Sequence, residues 1–195
     1  TGNGGANRFD SGAGNDTLFG GAGDDVLSGG AGKDYLTGGT GADQFVFLTN
    51  SGNGDAIYDF NSAEDRIVLE ASAFGYGDAT GALSAADFVS STKSNAARDA
   101  SDHFIFRTTD ATLWYDADGY GLRAPVMIAD LQAGATLTAA GVDTVLLTGL
   151  TLFARASMIG FTGLKIGGAL LTLAGVAWAQ YAVAGRRQDA PAQPD

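Results

Sequence analysis

A nine-residue period governs the opening of this 195-residue chain. Read in nines from Gly2, it gives GNGGANRFD, SGAGNDTLF, GGAGDDVLS, GGAGKDYLT and GGTGADQFV, ending at Val46. The common pattern is G-G-x-G-x-D-x-U-x, with U a large apolar residue. Asp16, Asp25, Asp34 and Asp43 recur at the sixth place, where the first frame has Asn7. Phe9, Leu18, Leu27, Leu36 and Phe45 recur at the eighth. A unit this short cannot bury its apolar residue alone, so successive units must stack on one another.

The nine positions divide into a turn and a strand. The first six residues of a frame need backbone angles that glycine reaches most cheaply. The last three, such as Val26-Leu27-Ser28, make a short strand whose middle side chain points inward. Two frames then make one coil of a parallel β-roll, an all-β fold with two thin sheets facing each other. Phe9, Leu27 and Phe45 line one sheet, and Leu18 and Leu36 the other. Turns on the same side are 18 residues apart, so Asp16 should pair with Asp34 and Asp25 with Asp43. Calcium takes six to eight hard oxygen ligands, which carboxylates and backbone carbonyls together supply. Each acid pair is therefore expected to share a calcium ion. The carbonyls come from the glycine turns: Gly12 and Gly14, Gly21 and Gly23, Gly30 and Gly32, Gly39 and Gly41. Asn7 offers an uncharged oxygen opposite Asp25. The fifth-place residues Asn15, Asp24, Lys33 and Ala42 read as solvated face.

This nonapeptide closely resembles the calcium-binding repeat of RTX (hemolysin-type) proteins. The resemblance implies a parallel β-roll exported by a type I secretion machine and residing outside a bacterial cell. Ser11 and Asn3 depart from the glycine pattern, which points to two well-formed calcium sites with one or two weaker ones. Beyond Val46 the glycines fade, and SGNGDAIYDF over 51–60 reads as a decayed sixth frame after a short insertion. Asp55 there falls one place before the acidic position. In RTX proteins a D-x-I-x-D-F ending closes the roll with both acids near the last calcium, which makes Asp55 and Asp59 candidate ligands. Asp65, in AEDRIVL, carries a weaker signal. The roll is thus assigned to residues 1–60.

From 61 to 148, short alternating runs (RIVL, HFIFR, ATLWY, PVMIA, TVLL) have strand character. Ser84 to Phe88 suggests a brief helical turn led by a capping serine, and DATLWYDADGYG a hairpin. An EF-hand reading of the latter from Asp116 fails, because Tyr120 and Met127 stand where ligands belong. FIFRTTDATLWYDADG and LQAGATLTAA resemble the β-cap and export-signal region that follows the roll in secreted RTX proteases and other exoproteins, implying a β-sandwich-like cap. Such a cap would cover strand edges that otherwise template aggregation.

The charge changes near Val145. Before Gly149 there are 20 acids and 7 bases; from there on, 2 acids and 4 bases. Residues 166–184 carry no charge and are long enough to span a bilayer as a helix. The tail, 149–195, is read as a hydrophobic helix with three alternatives: a membrane-spanning or membrane-sorting segment, a helix packed on the cap, or a non-native extension. Type I export would place the chain outside the cell; the first alternative would add a membrane contact and cell-surface association, as for an adhesive segment.

Charge and missing residues exclude other functions. With 22 acids against 11 bases the net charge is −11, which repels phosphate backbones, so nucleic acid is not an expected partner. The absence of cysteine removes disulfides, iron–sulfur clusters and thiolate zinc sites. His103 is the single histidine, and its place in HFIFR makes it a strand residue. Neither H-E-x-x-H, nor G-x-S-x-G, nor a P-loop occurs. The chain begins inside a repeat without methionine or leader, and reads as a non-enzymatic, C-terminal piece of a longer protein with any catalytic domain upstream. The expected function is a calcium-dependent module that folds outside the cell and supports secretion and stability of that larger protein.

Overall fold

The computed structural model describes residues 1–50, 54–77 and 79–146. The helix expected within 149–195 lies outside the described residues, as does any membrane contact through 166–184. In chain order the repeats and the segment after them form β1 (Arg8–Asp10), β2 (Thr17–Ala22), β3 (Val26–Ser28), β4 (Tyr35–Thr40), β5 (Gln44–Phe47), β6 (Asp55–Ile57) and β7 (Arg66–Glu70). Six more strands follow: β8 (Gly81–Ala82), β9 (Phe88–Ser91), β10 (Phe104–Arg107), β11 (Thr112–Tyr115), β12 (Val126–Leu131) and β13 (Val142–Val145).

From β1 to β7, odd and even strands separate into two sheets, as a two-frame coil demands. One sheet runs β1-β3-β5-β7-β13-β8 and the other β2-β4-β6-β12-β11-β10-β9. Pairing is parallel from β1 to β13 and from β2 to β12. The register places like frame positions side by side, with Phe9 on Leu27 and Leu27 on Phe45. On the facing sheet Leu18 lies beside Leu36. These apolar side chains point between the sheets and are shielded there, with Phe9 at the open end packing on as a partly buried neighbour.

Both sheets continue past residue 60. The inward row Phe9, Leu27, Phe45 is extended by Ile67 and then Val142. The opposite row of Leu18 and Leu36 is extended by Ile57 and Leu131. Residues 1–60 and 61–146, distinguished in the sequence by the fading of glycine, therefore share one apolar core. Each buried leucine or isoleucine contributes about 1.5–3 kcal/mol through removal from water. The aromatic residues Phe74, Phe104 and Tyr115 widen this core in the non-repeat part, with ring centroids 5.0–5.8 Å apart.

Strands β7, β10, β11, β12 and β13 overlap the expected runs, whereas β8 and β9 lie at none of them. β10 and β11 form an antiparallel hairpin, and β11 returns antiparallel to β12 after the 116–125 turn. Ser84 leads a turn rather than a helix: its hydroxyl accepts the Ala86 N–H at 3.1 Å, and strand β9 starts at Phe88. His103 lies one residue before β10 rather than within it. Its backbone N–H donates to the Asp87 carbonyl at 3.0 Å, and its Nδ1 lies 3.0 Å from the Ser101 carbonyl.

Candidate metal centre

The acids of the repeat lie in two columns, one at each side of the roll. One column holds Asn7, Asp25, Asp43 and Asp65; the other holds Asp16, Asp34 and Asp55. Their arrangement is fixed by a ladder of hydrogen bonds from backbone to carboxylate. The Asn7 N–H donates to Asp25 Oδ1 at 2.7 Å, and the Asp25 N–H to Asp43 Oδ1 at 2.8 Å. In the second column the Asp16 N–H donates to Asp34 Oδ1 at 2.7 Å. The expected pairs Asp16 with Asp34 and Asp25 with Asp43 are thus brought together.

One oxygen of each repeat acid is consumed by this ladder or lies beside it; the other is not. Oδ2 of Asp16, Asp25, Asp34 and Asp43 is shut off from solvent without a hydrogen-bond partner, four of the six such side-chain atoms among the described residues. A buried carboxylate oxygen left unpaired is strongly unfavourable unless a cation or proton meets it. The buried oxygens therefore fit a cation in the same place in each of the four frames that carry the acid.

The glycine turns stack in the same register. A side chain on Gly30 would collide with the Gly12 carbonyl oxygen, and one on Gly32 with that of Gly14. The same holds for Gly39 against Gly21 and for Gly41 against Gly23. All eight glycines singled out in the sequence thus form coil-to-coil pairs in which a carbonyl faces the next turn. Among the described residues no three His, Cys, Asp or Glu side chains gather as a metal cluster. A cation here would accordingly draw much of its coordination from backbone oxygens, which suits calcium and not zinc or copper.

Two features escaped the sequence reading, and a third carried only a weak signal in it. Gly20, Gly29 and Gly38 open their frames, and each lies directly against the carboxylate of its own turn, Asp25, Asp34 or Asp43. Their nine-residue recurrence was visible, but only the stacked turn shows that the vacant side makes room for Oδ2. Second, the fifth place is exposed but not idle: Asn15 Oδ1 accepts the Lys33 N–H and Asp24 Oδ1 the Ala42 N–H, both at 2.9 Å. Third, Asp65 takes the place of the next acid, accepting the Asp43 N–H on Oδ1 at 2.9 Å.

Asp55 occupies the acidic position itself, correcting the one-place offset read from the sequence. Its Oδ1 accepts the Asp34 N–H at 3.0 Å, and Ala56 and Ile57 pair with Tyr35 and Leu36. The coil is simply longer here, 21 residues from Asp34 to Asp55 instead of 18. Asp59 lies elsewhere: its two oxygens accept the N–H groups of Gly38 and Gly39 at 2.9 and 2.7 Å. Asn7 turns its side-chain oxygen to the Asn3 N–H at 2.9 Å, within its own turn.

Burial dominates the electrostatics. It pushes Asp43 up to about 6, helped by the neighbouring carboxylates of Asp65, Asp25 and Asp59. Asp55 is likewise pushed up to about 6 by burial, with Asp34 adding repulsion. Burial also raises Asp25 and Asp65. Columns of buried acids that repel one another, lined by carbonyls, call for a hard cation.

A family model, the RTX calcium-binding nonapeptide repeat, matches this chain in 4 copies over residues 1–36 and 10–45. Residues 1–45 are RTX repeats. RTX repeats of this type bind calcium, and calcium is the metal to which the columns correspond. Among solved structures, the chain is similar to the solution structure of the AlgE6R3 subunit from the Azotobacter vinelandii mannuronan C5-epimerase. That similarity has 26% sequence identity and a TM-score of 0.45, covering 100% of this chain and 87% of the other. No curated protein matches the chain.

Proposed function

We propose that this chain is a calcium-switched folding module that supports the secretion and stability of a larger extracellular protein. The observation that carries the reading is the set of unpartnered, buried Oδ2 atoms on Asp16, Asp25, Asp34 and Asp43. Asp16 with Asp34, and Asp25 with Asp43, share calcium ions, together with carbonyls of the glycine turns; Asp55, Asp59 and Asn7 supply further oxygens at the ends of the columns. Without calcium the stacked acids repel, and the glycine-rich chain faces a large ordering entropy. With calcium the same acids become the cross-links between coils, so metal binding and folding are one event.

Free calcium is scarce inside a bacterium and plentiful outside it. A chain with this switch stays unfolded for passage through a type I export channel and folds on arrival, which draws export forward. The module itself is non-enzymatic, in keeping with a sequence that holds none of the catalytic motifs sought. The test is a calcium titration of the full chain followed by far-UV circular dichroism, with magnesium as control. A cooperative gain of β signal with calcium alone is expected. A spectrum already folded in chelator and unmoved by calcium would overturn the switch.

A further inference from the structure

We propose that the outer face of β2, β4 and β6 is a binding ledge for an uncharged glycan chain built of pyranose rings. The glycan lies across the strands on Phe19, Tyr35 and Tyr58. The ledge is separate from the acid columns and gives the module a ligand other than a cation.

Five large apolar side chains are exposed among the described residues, and three of them meet on this face. Leu18, Leu36 and Ile57 point into the core, so their neighbours along each strand point outward. Phe19 on β2 is 46% exposed, Tyr35 on β4 37%, and Tyr58, just past β6, 55%. Phe19 pairs with Thr37, and the Tyr58 N–H donates to the Leu36 carbonyl at 3.0 Å. Phe19, Thr37 and Tyr58 therefore form one row across three strands. Thr17, Tyr35, Ala56 and Asp130 form the adjoining row, from β2 to β12. The rings of Tyr35 and Tyr58 are parallel within 6°, with centroids 6.1 Å apart. Each holds the other in place, so less side-chain freedom is lost when a ligand lands.

The chemistry of this face selects its occupant. An aromatic ring offers a flat face of negative potential, and the C–H bonds on one side of a pyranose are weakly positive and lie flat against it. The hydroxyls of Thr17 and Thr37 and the carboxylate of Asp130 stand among the rings as partners for sugar hydroxyls. Neighbouring strands are about 4.8 Å apart, of the order of one sugar ring. A chain laid across β2, β4 and β6 thus meets an aromatic side chain on each.

Charge and area exclude other occupants. Thr17, Phe19, Tyr35, Thr37, Ala56 and Tyr58 are all uncharged, while Asp59 and Asp130 border them in a chain of net charge −11. Uronate or sulfated polymers are repelled from such a surface, and an uncharged glycan is not. An aromatic side chain has about 150–250 Å² to bury, so three half-exposed rings offer roughly 300 Å². A stable protein interface needs about 800 Å² from each partner, which a second copy would not find here.

The test is calorimetric titration of the full chain in saturating calcium with cellohexaose, mannohexaose and xylohexaose, with hexagalacturonate as the charged control. Binding of at least one uncharged hexamer and no binding of hexagalacturonate are expected. Tyr58→Ala is expected to weaken that binding on the order of tenfold or more. Tyr58→Phe keeps the ring and should retain most of it, and Leu122→Ala on the 116–125 turn should change nothing. Circular dichroism in calcium checks that each variant is folded. In the parent, the ring resonances of Tyr35 and Tyr58 should shift when the hexamer is added, which needs no variant. A folded, calcium-loaded parent that binds none of the three uncharged hexamers overturns the ledge and leaves the calcium reading intact. Equal affinity in a folded Tyr58→Ala chain overturns it too. A parent dimer in analytical ultracentrifugation that Tyr58→Ala dissolves gives the face to a second copy and overturns the glycan.

Discussion

Each repeat acid serves two purposes through its two oxygens, and substitutions can separate them. Asn at Asp34 keeps an acceptor for the Asp16 N–H but removes the charge that a calcium ion needs. Calcium affinity of Asp34→Asn is expected to fall on the order of tenfold or more, since ligand charge sets affinity at such sites. In chelator the same change is expected to make no difference, because parent and variant are both unfolded without the metal. Calorimetric titration and far-UV circular dichroism in chelator check the two halves; an affinity equal to the parent's would show that Asp34 does not hold the ion. The glycines make a second contrast. Gly12 and Gly32 both have positive φ, 89° and 133°, but a side chain at Gly12 meets open space while one at Gly32 meets the Gly14 carbonyl. Gly12→Ala should cost about 1–2 kcal/mol from the backbone alone. Gly32→Ala should cost more because the coils must also move apart, and thermal melts in calcium rank the two.

At the scale of strands, stability comes from the inward rows. Leu36 is 1% exposed between Leu18 and Ile57, whereas Phe19 on the neighbouring strand points outward and is 46% exposed. Leu36→Ala is expected to destabilise the calcium-loaded chain by about 2–5 kcal/mol, and Phe19→Ala by no more than about 0.5 kcal/mol. Denaturant unfolding distinguishes them. The inward rows were legible because an apolar residue every nine positions has one explanation, a stacked coil. The acid pairs were legible for the same reason, since 18 residues is two frames. Legibility failed where the coil length changed. Between Asp34 and Asp55 it grows to 21 residues, and between Asp43 and Asp65 to 22, so counting in nines misplaces both acids by construction. Hydrogen-bond partners restore the position that counting loses. The short strands β8 and β9 went unassigned for another reason: their pairing with β13 and β10 is set by distant partners, not by a local alternation.

At the scale of the molecule, one core spans the repeat and non-repeat parts, so the state of the acid columns bears on both. In the metal-free fold Asp43 and Asp55 are pushed up to about 6 from an ordinary value of 3.8. A raised carboxyl binds its proton more tightly folded than unfolded. The stabilisation is therefore complete below the unfolded value near 4 and disappears as pH rises through about 6. Calcium reverses the sign. A bound ion requires the ionised acids, protons compete with it, and stability should rise with pH over the same interval. In saturating calcium, melting temperatures between pH 5 and 7.5, above the sequence pI near 4.2, are thus expected to climb with pH, whereas in calcium-free buffer the residual β signal is expected to fall with pH. The two curves should diverge most steeply near pH 6. Curves that run parallel would mean that the cation does not sit on these carboxylates, whatever else calcium does to the chain.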